Sequence, residues 1–340
     1  MEAAGAMGML EEVARGRAPE RTGLRLATAD ATLGDAIGRV EAEILACART
    51  GQAPAIDSAE HLRAAGGKRV RPLLALLSCA SFGPVGRGVE VAVAAELVHL
   101  ATLLHDDVVD DGSERRGVPT SRRLWGNAVS VLAGDLLLVH ALERVRAAGE
   151  GVTLAELLAT LRSLVDGEVV QLRGRTRLDL SRATYDEIVL GKTASLFVWA
   201  MRAGARAGGG DPAAIERLGL AGSALGQAFQ IVDDVIDYEP GASRKTPFAD
   251  LREGKVTLPL ILLAERDGRA RCDIEAARDA EPAGVAALLE RVRASSVLSE
   301  SREIAAAHAA RAANALAELP ASGPRAWLVS IADRLAGRRT

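Results

Sequence analysis

The chain has few of the residues that build sheets or disulfide frameworks. Of its 340 residues, 3% are aromatic and 3 are cysteines. The cysteines are scattered, odd in number and form no CxxC pair, which indicates reduced thiols in a cytoplasmic protein. Hydrophobic residues nevertheless make up 49% of the chain. Because so few of them are aromatic, the core must consist mainly of Ala, Leu and Val, a composition more typical of helices than of sheets.

A large excess of one charge and a long hydrophobic run are also absent. The formal net charge is -3 at pH 7, which gives no reason to expect nucleic acid or an anionic membrane as a partner. No apolar run approaches the ~18 residues of a membrane span, and the first residues lack the basic region of a signal peptide. We therefore expect an all-α protein of the cytoplasm without a transmembrane segment.

The apolar residues follow helical spacing along most of the chain. Their pattern predicts helices over about 31–49, 87–110 and 182–207, among others. Asp57 is a predicted N-cap, because its side chain can accept a hydrogen bond from the first turn. Asp211-Pro212 predicts the start of another long helix.

No shift in composition marks a domain boundary. Residues 1–29 show no clear period and are interpreted as a loose leader. Residues 30–340 are interpreted as one helical domain. The stretch 239–255 is rich in proline, glycine and charge, and its length predicts a mobile lid rather than a simple connection.

Two acidic clusters of the form D-D-x-x-D lie 127 residues apart, each after an apolar stretch of helical spacing. Residues four apart share one face of a helix, so the first and last carboxylates of each cluster point together. Such carboxylates repel one another unless a cation intervenes. Mg²⁺ relieves the repulsion and bridges carboxylates to phosphate oxygens. The clusters therefore predict metal ions held between two helices on a diphosphate, the alternative being two solvated helix ends. Their carboxylates are Asp106, Asp107, Asp110, Asp233, Asp234 and Asp237.

Basic residues that could bind the same diphosphate occur in several segments. Lys68 and Arg71 follow Gly66-Gly67 at a predicted helix start, where backbone N–H groups favour anions. The arginine fork also suits phosphate oxygens. Each residue has a plainer interpretation as a solvated, charge-balancing or snorkelling side chain. The remaining candidates are Arg115 and Arg116 after the first cluster, Lys192 in an apolar helix, and Lys245 and Lys255 in the predicted lid.

Taken together, these segments resemble the trans-isoprenyl diphosphate synthases, the polyprenyl synthetase family, and its medium- and long-chain type in particular. The similarity runs from about residue 60 to 260 and more weakly to the C-terminus. The motifs that carry it are Gly67-Lys68-Arg69-Val70-Arg71-Pro72, Leu103-Leu104-His105-Asp106-Asp107-Val108-Val109-Asp110, Arg115-Arg116-Gly117, Gly167-Glu168-Val169-Val170-Gln171, Gly191-Lys192-Thr193-Ala194, Phe229-Gln230-Ile231-Val232-Asp233-Asp234 and Asp250-Leu251-Arg252-Glu253-Gly254-Lys255.

The resemblance implies a helical bundle around a deep central cavity, the isoprenoid synthase fold, in a homodimer. It implies that an allylic diphosphate and isopentenyl diphosphate are condensed with the help of three Mg²⁺ ions. The implied metal ligands are Asp106, Asp110 and Asp233, completed or supported by Asp107, Asp234 and Asp237. The implied contacts of the allylic diphosphate are Arg115, Lys192 and Lys255, with Lys245 nearby. Those of isopentenyl diphosphate are Lys68, Arg71, His99 and Arg116. Thr193 and Gln230 would stabilise the developing carbocation.

Product length is expected to depend on the helix that ends in the first acidic cluster. Thr102 shares a face with Asp106 one turn away, and Ala101 lies beside it. Members of the family that make short products typically have a bulky aromatic residue here, whereas both residues of this chain are small. We therefore expect products longer than farnesyl diphosphate, with the floor deeper, among Leu136, Leu137 and Val139.

Other functions use parts of the same pattern. A class I terpene cyclase also has a D-D-x-x-D cluster and Mg²⁺, but it binds no second diphosphate, so Lys68, Arg71 and Arg116 argue against it. A synthase of farnesyl or geranylgeranyl length remains an alternative to a longer-chain enzyme. A non-catalytic subunit of a heteromeric synthase would tend to lose its acidic clusters, and this chain has both.

Overall fold

A computed structural model describes residues 27–149, 151–238, 251, 255–278 and 282–336 of the chain. The predicted leader lies outside this part of the chain except for its last three residues. The predicted lid likewise lies outside it except for Leu251 and Lys255.

The described chain is helical apart from one short hairpin, as expected for an all-α protein. The hairpin pairs β1 (Glu114–Arg115) with β2 (Val118–Pro119) in antiparallel register. The first helices are α1 (Ala27–Ala48), α2 (Ala55–Ala64), α3 (Val70–Ala80), α4 (Val89–Val109), α5 (Ser121–Trp125), α6 (Asn127–Ala147) and α7 (Gly151–Thr176). The later ones are α8 (Arg182–Ile188), α9 (Ser195–Gly208), α10 (Pro212–Ile236), α11 (Leu258–Arg266), α12 (Gly268–Arg278), α13 (Pro282–Ala294), α14 (Val297–Ala317) and α15 (Gly323–Ala336).

Two predicted helix starts are corrected and one is confirmed. Helix α1 begins at Ala27 rather than near residue 31, because its first turn has helix-forming alanines but no apolar period. Asp57 is not an N-cap: α2 begins at Ala55 after Pro54, and Asp57 lies in the first turn, where a carboxylate still complements the helix dipole. At the start of α10, Asp211 Oδ1 accepts a hydrogen bond from the Ala214 amide at 2.7 Å, as predicted.

Helices α4 and α10 lie in the interior and carry the two acidic clusters at their C-terminal ends. Helix α4 packs against α3 and α6, and α10 packs against α9 and α14. By length and composition alone, the stretch Val85–Val109, a 3-10 turn followed by α4, could cross a membrane, but 78% of its 18-residue apolar window is buried inside the fold. A core helix surrounded by other helices needs apolar residues on every face, which explains this composition.

Helices α3 and α9 approach each other backbone to backbone. A Cβ atom on Gly204 of α9 would lie 2.2 Å from the Ala75 carbonyl oxygen of α3, and one on Gly208 would lie 2.3 Å from that of Cys79. Only glycine permits this spacing. The close crossing fixes the first turn of α3, which contains Arg71, relative to the segment before α9, which contains Lys192.

Candidate active site

The acidic ends of α4 and α10 open into one cavity of about 1430 Å³. Most of the residues predicted from sequence line it. Asp107 and Ala101 do not, and Lys245 lies outside the described residues. The predicted floor residues Leu136, Leu137 and Val139 do not line it either, because Leu137 is buried in the core and Val139 is exposed on the outer face of α6. The predicted residues in the lining are Lys68, Arg71, His99, Thr102, Asp106, Asp110, Arg115, Arg116, Lys192, Thr193, Gln230, Asp233, Asp234, Asp237 and Lys255.

In the first acidic cluster, Asp106 and Asp110 face the cavity and each has a lysine beside it. Lys192 Nζ lies 3.5 Å from Asp106 Oδ2, and Lys255 Nζ donates to Asp110 Oδ2 at 2.6 Å. The lysines come from segments 63 residues apart in the chain. The fold thus places positive charge against the carboxylates, which offsets their mutual repulsion.

Asp107 has a different position from its two neighbours. It is 2% exposed, and its Oδ1 atom accepts a hydrogen bond from Arg115 Nε at 2.8 Å and forms an ion pair with Nη2 at 2.8 Å. Burial raises the pKa of Asp107, and the Arg115 guanidinium opposes that rise. Asp107 therefore orients Arg115 in the cavity wall, and it does so from a buried position next to Asp106.

The second cluster divides in the same way between an exposed and a buried carboxylate. Asp233 is exposed, whereas Asp234 next to it is buried, because adjacent helical residues point about 100° apart. Gln230 Nε2 donates to Asp234 Oδ1 at 2.8 Å, and Tyr185 and Leu258 donate to Oδ2. Burial raises the pKa of Asp234 to about 7 in spite of these donors.

Lys192 and Thr193 lie in a π-helix, Val189–Ala194, between α8 and α9. π-Helical turns are rare and often occur at functional sites. The turn packs closely on α7: a Cβ atom on Gly191 would lie 2.9 Å from the Ser163 carbonyl oxygen. Lys192 forms an ion pair with Glu168 of α7, and Thr193 Oγ1 donates to Gln230 Oε1 at 2.8 Å.

A second part of the wall, which we call the basic wall, consists of Lys68, Arg71, His99 and Arg116. The Lys68 ammonium lies 5.7 Å from the centre of the Phe229 ring, and the Arg71 guanidinium lies 5.0 Å from that of Phe197. These distances are typical of cation–π contacts. The two rings are 5.6 Å apart, so together they form one aromatic platform under two cations.

The electrostatics of the basic wall favour an anion. Burial lowers the pKa of Arg71 to about 10, and its Nε atom is buried without a hydrogen-bond partner among the described residues. Burial also lowers the pKa of Arg116. Burial, followed by the charges of Arg71 and Arg116, lowers the pKa of His99 well below its ordinary value. His99 is therefore a neutral imidazole surrounded by cations, and an anion here would relieve their repulsion.

Sequence reasoning assigned no role to several residues that shape the site. Arg69, at a left-handed φ of 49°, donates to Glu41 at 2.5 Å and to the buried Glu96 at 2.7 Å, so it joins α1 to α4 and differs in role from Lys68 and Arg71. Glu96 could have been noticed as a lone acid in an apolar helix. Phe197 and Phe229 could have been noticed because the chain has only 4 phenylalanines.

The donor set of the acidic clusters fits a hard divalent cation. Every candidate ligand is a carboxylate, which suits Mg²⁺. Among the described residues, no group of three or more His, Cys, Asp or Glu side chains is close enough to hold a metal ion without other ligands. Mg²⁺ in phosphate-binding enzymes keeps several waters and is held by one or two carboxylates plus substrate oxygens, and this arrangement of carboxylates is suited to such binding.

Comparison with known proteins gives the same picture. A polyprenyl synthetase family model matches residues 54–292. The chain is 39% identical over 292 residues to the nonaprenyl diphosphate synthase of Mycobacterium tuberculosis, covering 83% of this chain and 86% of that protein. It is 34% identical to heptaprenyl diphosphate synthase component 2 of Geobacillus stearothermophilus, covering 88% and 95%. Among solved structures, a polyprenyl synthase of Caulobacter crescentus, complexed with calcium and isoprenyl diphosphate, has a TM-score of 0.83 and 36% identity, covering 95% and 100%.

The fold and the facing acidic clusters define the class of protein, an enzyme with the all-α isoprenoid synthase fold. The chain belongs to the polyprenyl synthetase family, whose named members are polyprenyl diphosphate synthases and therefore prenyltransferases. The fold class and the family predicted from the sequence are confirmed.

Proposed function

We propose that this enzyme condenses an allylic diphosphate with isopentenyl diphosphate, in a Mg²⁺-dependent reaction, to make trans-polyprenyl diphosphates longer than farnesyl. The observation that carries the proposal is the division of one cavity into two anion-binding parts. Carboxylates with lysines line one part, and the basic wall lines the other. A cavity of this kind suits two diphosphates bound in different ways.

The allylic diphosphate is assigned to the acidic part, the allylic subsite. Asp106, Asp110 and Asp233 would hold three Mg²⁺ ions, which supply the charge neutralisation that a departing diphosphate needs. Asp107, Asp234 and Asp237 support this set. Arg115, Lys192 and Lys255 provide further cations at the cavity wall, and Lys245 in the predicted lid joins them. Lys192 and Lys255 already lie against Asp106 and Asp110, where they could bind the same phosphate oxygens.

Isopentenyl diphosphate is assigned to the basic wall, the isopentenyl subsite. Lys68, Arg71 and Arg116 bring positive charge, and neutral His99 can donate one N–H bond. The buried Nε atom of Arg71 gains a partner when a phosphate oxygen binds. No metal is required here, because the guanidinium and ammonium groups alone balance the diphosphate charge.

The condensation itself needs an allylic cation that is protected from water. Thr193 and Gln230 line the same cavity and share a hydrogen bond, and their oxygens are proposed to stabilise positive charge on carbon. The alkene of isopentenyl diphosphate attacks the cation, and the departed diphosphate removes the final proton. The predicted lid, 239–255, would exclude water during this step.

Product length is proposed to depend on the cavity wall that lies one helical turn before the first acidic cluster. Thr102 lines the cavity, whereas Ala101 is fully buried in the adjacent core. A phenylalanine at Ala101 would have to fit into packed helices, so Thr102 is the cleaner position for a test. The relatives named nonaprenyl and heptaprenyl diphosphate synthase support a long product.

The enzyme is further proposed to be a homodimer. Exposed apolar residues form a stripe on α6 and another on the neighbouring α7, each with members seven residues apart and so on one helix face. A second copy of this chain would cover both stripes. Because one relative is named component 2 of a heptaprenyl diphosphate synthase, the alternative is that a different subunit covers them. A cytoplasmic location is proposed with it. The stripes contain Leu132 and Val139, and Leu158 and Val165.

Replacing a proposed metal ligand should nearly abolish turnover. Asp106→Asn and Asp233→Asn are each expected to lower kcat by at least about 100-fold, because developing diphosphate charge loses its counterion. Chelation of divalent ions should stop wild-type activity, and Mg²⁺ or Mn²⁺ should restore it. Product formation from labelled isopentenyl diphosphate and an allylic primer measures the effect.

The matched control is Asp111→Asn, since Asp111 follows the same cluster but pairs with Arg122 at 2.7 Å and is exposed. The kcat of this variant should stay within about twofold of the wild-type value. The metal assignment fails if Asp106→Asn, with unchanged circular dichroism, keeps more than about a tenth of wild-type turnover, a loss of only ~1.4 kcal/mol.

The two subsites should respond to different substitutions. Lys68→Ala is expected to weaken isopentenyl diphosphate binding by about 10-fold or more, since a bond to a charged group contributes about 1.5–3 kcal/mol. Arg115→Ala should instead weaken a non-ionisable allylic diphosphate analogue. Calorimetric titration of each variant with each ligand tests this. Equal weakening of both ligands by either variant would refute separate subsites.

Enlarging Thr102 should shorten the product. Thr102→Phe is expected to stop elongation several isoprene units earlier than wild type, because the ring fills the space below Asp106. Thr102→Val has almost the same volume and should leave the distribution unchanged. Chromatography of dephosphorylated products gives the lengths; a wild type that stops at farnesyl, or an unaltered Thr102→Phe distribution, contradicts the proposal.

A charge on the apolar stripes should separate the homodimer. Leu132→Glu is expected to give a monomer by light scattering after size-exclusion chromatography, because burying an unpaired carboxylate is unfavourable. Leu220→Glu is the control, since Leu220 is exposed to nearly the same extent, 58% against 59%, but lies on α10. A wild-type monomer, or a dimer that survives Leu132→Glu, would show that the stripes have another use.

A further inference from the structure

Tyr185 is the buried aromatic residue of α8 and lies outside every role assigned above. It is 6% exposed, and its helix begins at an N-cap, Ser181, whose side chain accepts from the Thr184 amide. Its hydroxyl donates to Asp234 Oδ2 at 2.7 Å in a buried contact. Burial, and then the Asp234 charge, raise the pKa of Tyr185 well above its ordinary value, so the hydroxyl keeps its proton and remains a donor.

Asp234 is a junction between three segments of the site. Tyr185 reaches it from α8, and Gln230 reaches it from the preceding turn of α10 at 2.8 Å. The Leu258 amide, at the first residue of α11, donates to the same Oδ2 atom as Tyr185 at 3.4 Å. Both carboxylate oxygens are therefore bonded to protein donors, so Asp234, although it belongs to the cavity lining, is engaged in holding the site together.

Each segment that meets at Asp234 carries a member of the allylic subsite. Asp233 precedes Asp234 on α10, so the direction of its side chain depends on how α10 is rotated. Lys255, three residues before Leu258, donates to Asp110 at 2.6 Å. On the third side, α8 continues directly into the π-helix that contains Lys192. The buried Tyr185 hydroxyl thus bonds the carboxylate at which the three segments of the allylic subsite meet.

We propose that Tyr185 is a positioning residue, whose hydrogen bond to Asp234 fixes Asp233 and Lys255 around the metal-bound diphosphate. The inference rests on the proposed function. It implies that loss of the hydroxyl weakens the allylic subsite selectively. The isopentenyl subsite is supported instead by the Phe197 and Phe229 rings, so it should not change.

Tyr185→Phe removes the hydroxyl and nothing else. Titration with inorganic diphosphate at a fixed excess of Mg²⁺ should show an affinity about 10-fold lower than that of wild type. Titration with isopentenyl diphosphate without metal should show an affinity within about twofold of that of wild type. Loss of a residue with only a structural role would lower the melting temperature and change both affinities alike. The informative result is therefore a loss of diphosphate affinity with no loss of isopentenyl diphosphate affinity.

The chain provides a matched control, because it has only 2 tyrosines. Tyr238 is 4% exposed, lies just after α10, and its hydroxyl shares a hydrogen bond with Thr257. Tyr238→Phe therefore loses a buried hydroxyl nearby but leaves the Tyr185 hydroxyl on Asp234, and it should leave the diphosphate affinity within about twofold of wild type. Equal losses in the two variants would overturn the proposal, as would an unchanged affinity in Tyr185→Phe.

A double-mutant cycle tests whether Tyr185 acts through Asp234. In an Asp234→Asn background, Tyr185→Phe should add little further loss of diphosphate affinity, because coupled residues are not additive. Full additivity would overturn the mechanism. If wild type itself fails to bind diphosphate with Mg²⁺, the proposed function fails; if wild type binds and Tyr185→Phe binds equally well, only this inference does.

Discussion

The whole site depends on keeping like charges close together inside a cavity. Asp106 and Asp110 at the end of α4 line the same cavity as Asp233 and Asp237 at the end of α10, and carboxylates near one another repel strongly where water is scarce. Two features oppose this repulsion. Both helices are buried in apolar cores that fix their ends, and Lys192 and Lys255 place cations against the first cluster.

The same constraint explains the division of labour within each cluster. The middle carboxylates, Asp107 and Asp234, are buried and bonded to donors from other segments, so they hold cationic or helical neighbours in place. The outer carboxylates remain at the cavity surface.

Much of the fold could be predicted because the helices have a regular apolar period and clear start signals such as Asp211-Pro212. The errors have local causes. Asp57 looked like an N-cap, but helix α2 had already begun two residues earlier. The first turn of α1 lacks an apolar period. The site could be predicted because its carboxylates and cations cluster in the sequence, whereas Phe197, Glu96 and Tyr185 are ordinary core residues until their partners are known.

The sequence by itself determined which residues carry charge and which of them share a helix face, since the helical period fixes that locally. It also determined the family, because many short motifs occur in one order. Only the tertiary structure decided which carboxylate of each pair is buried, which lysine lies at which aspartate, and that Arg69 is engaged by Glu41 and Glu96. These contacts join residues far apart in the chain, and their geometry depends on how whole helices pack, which no local pattern encodes.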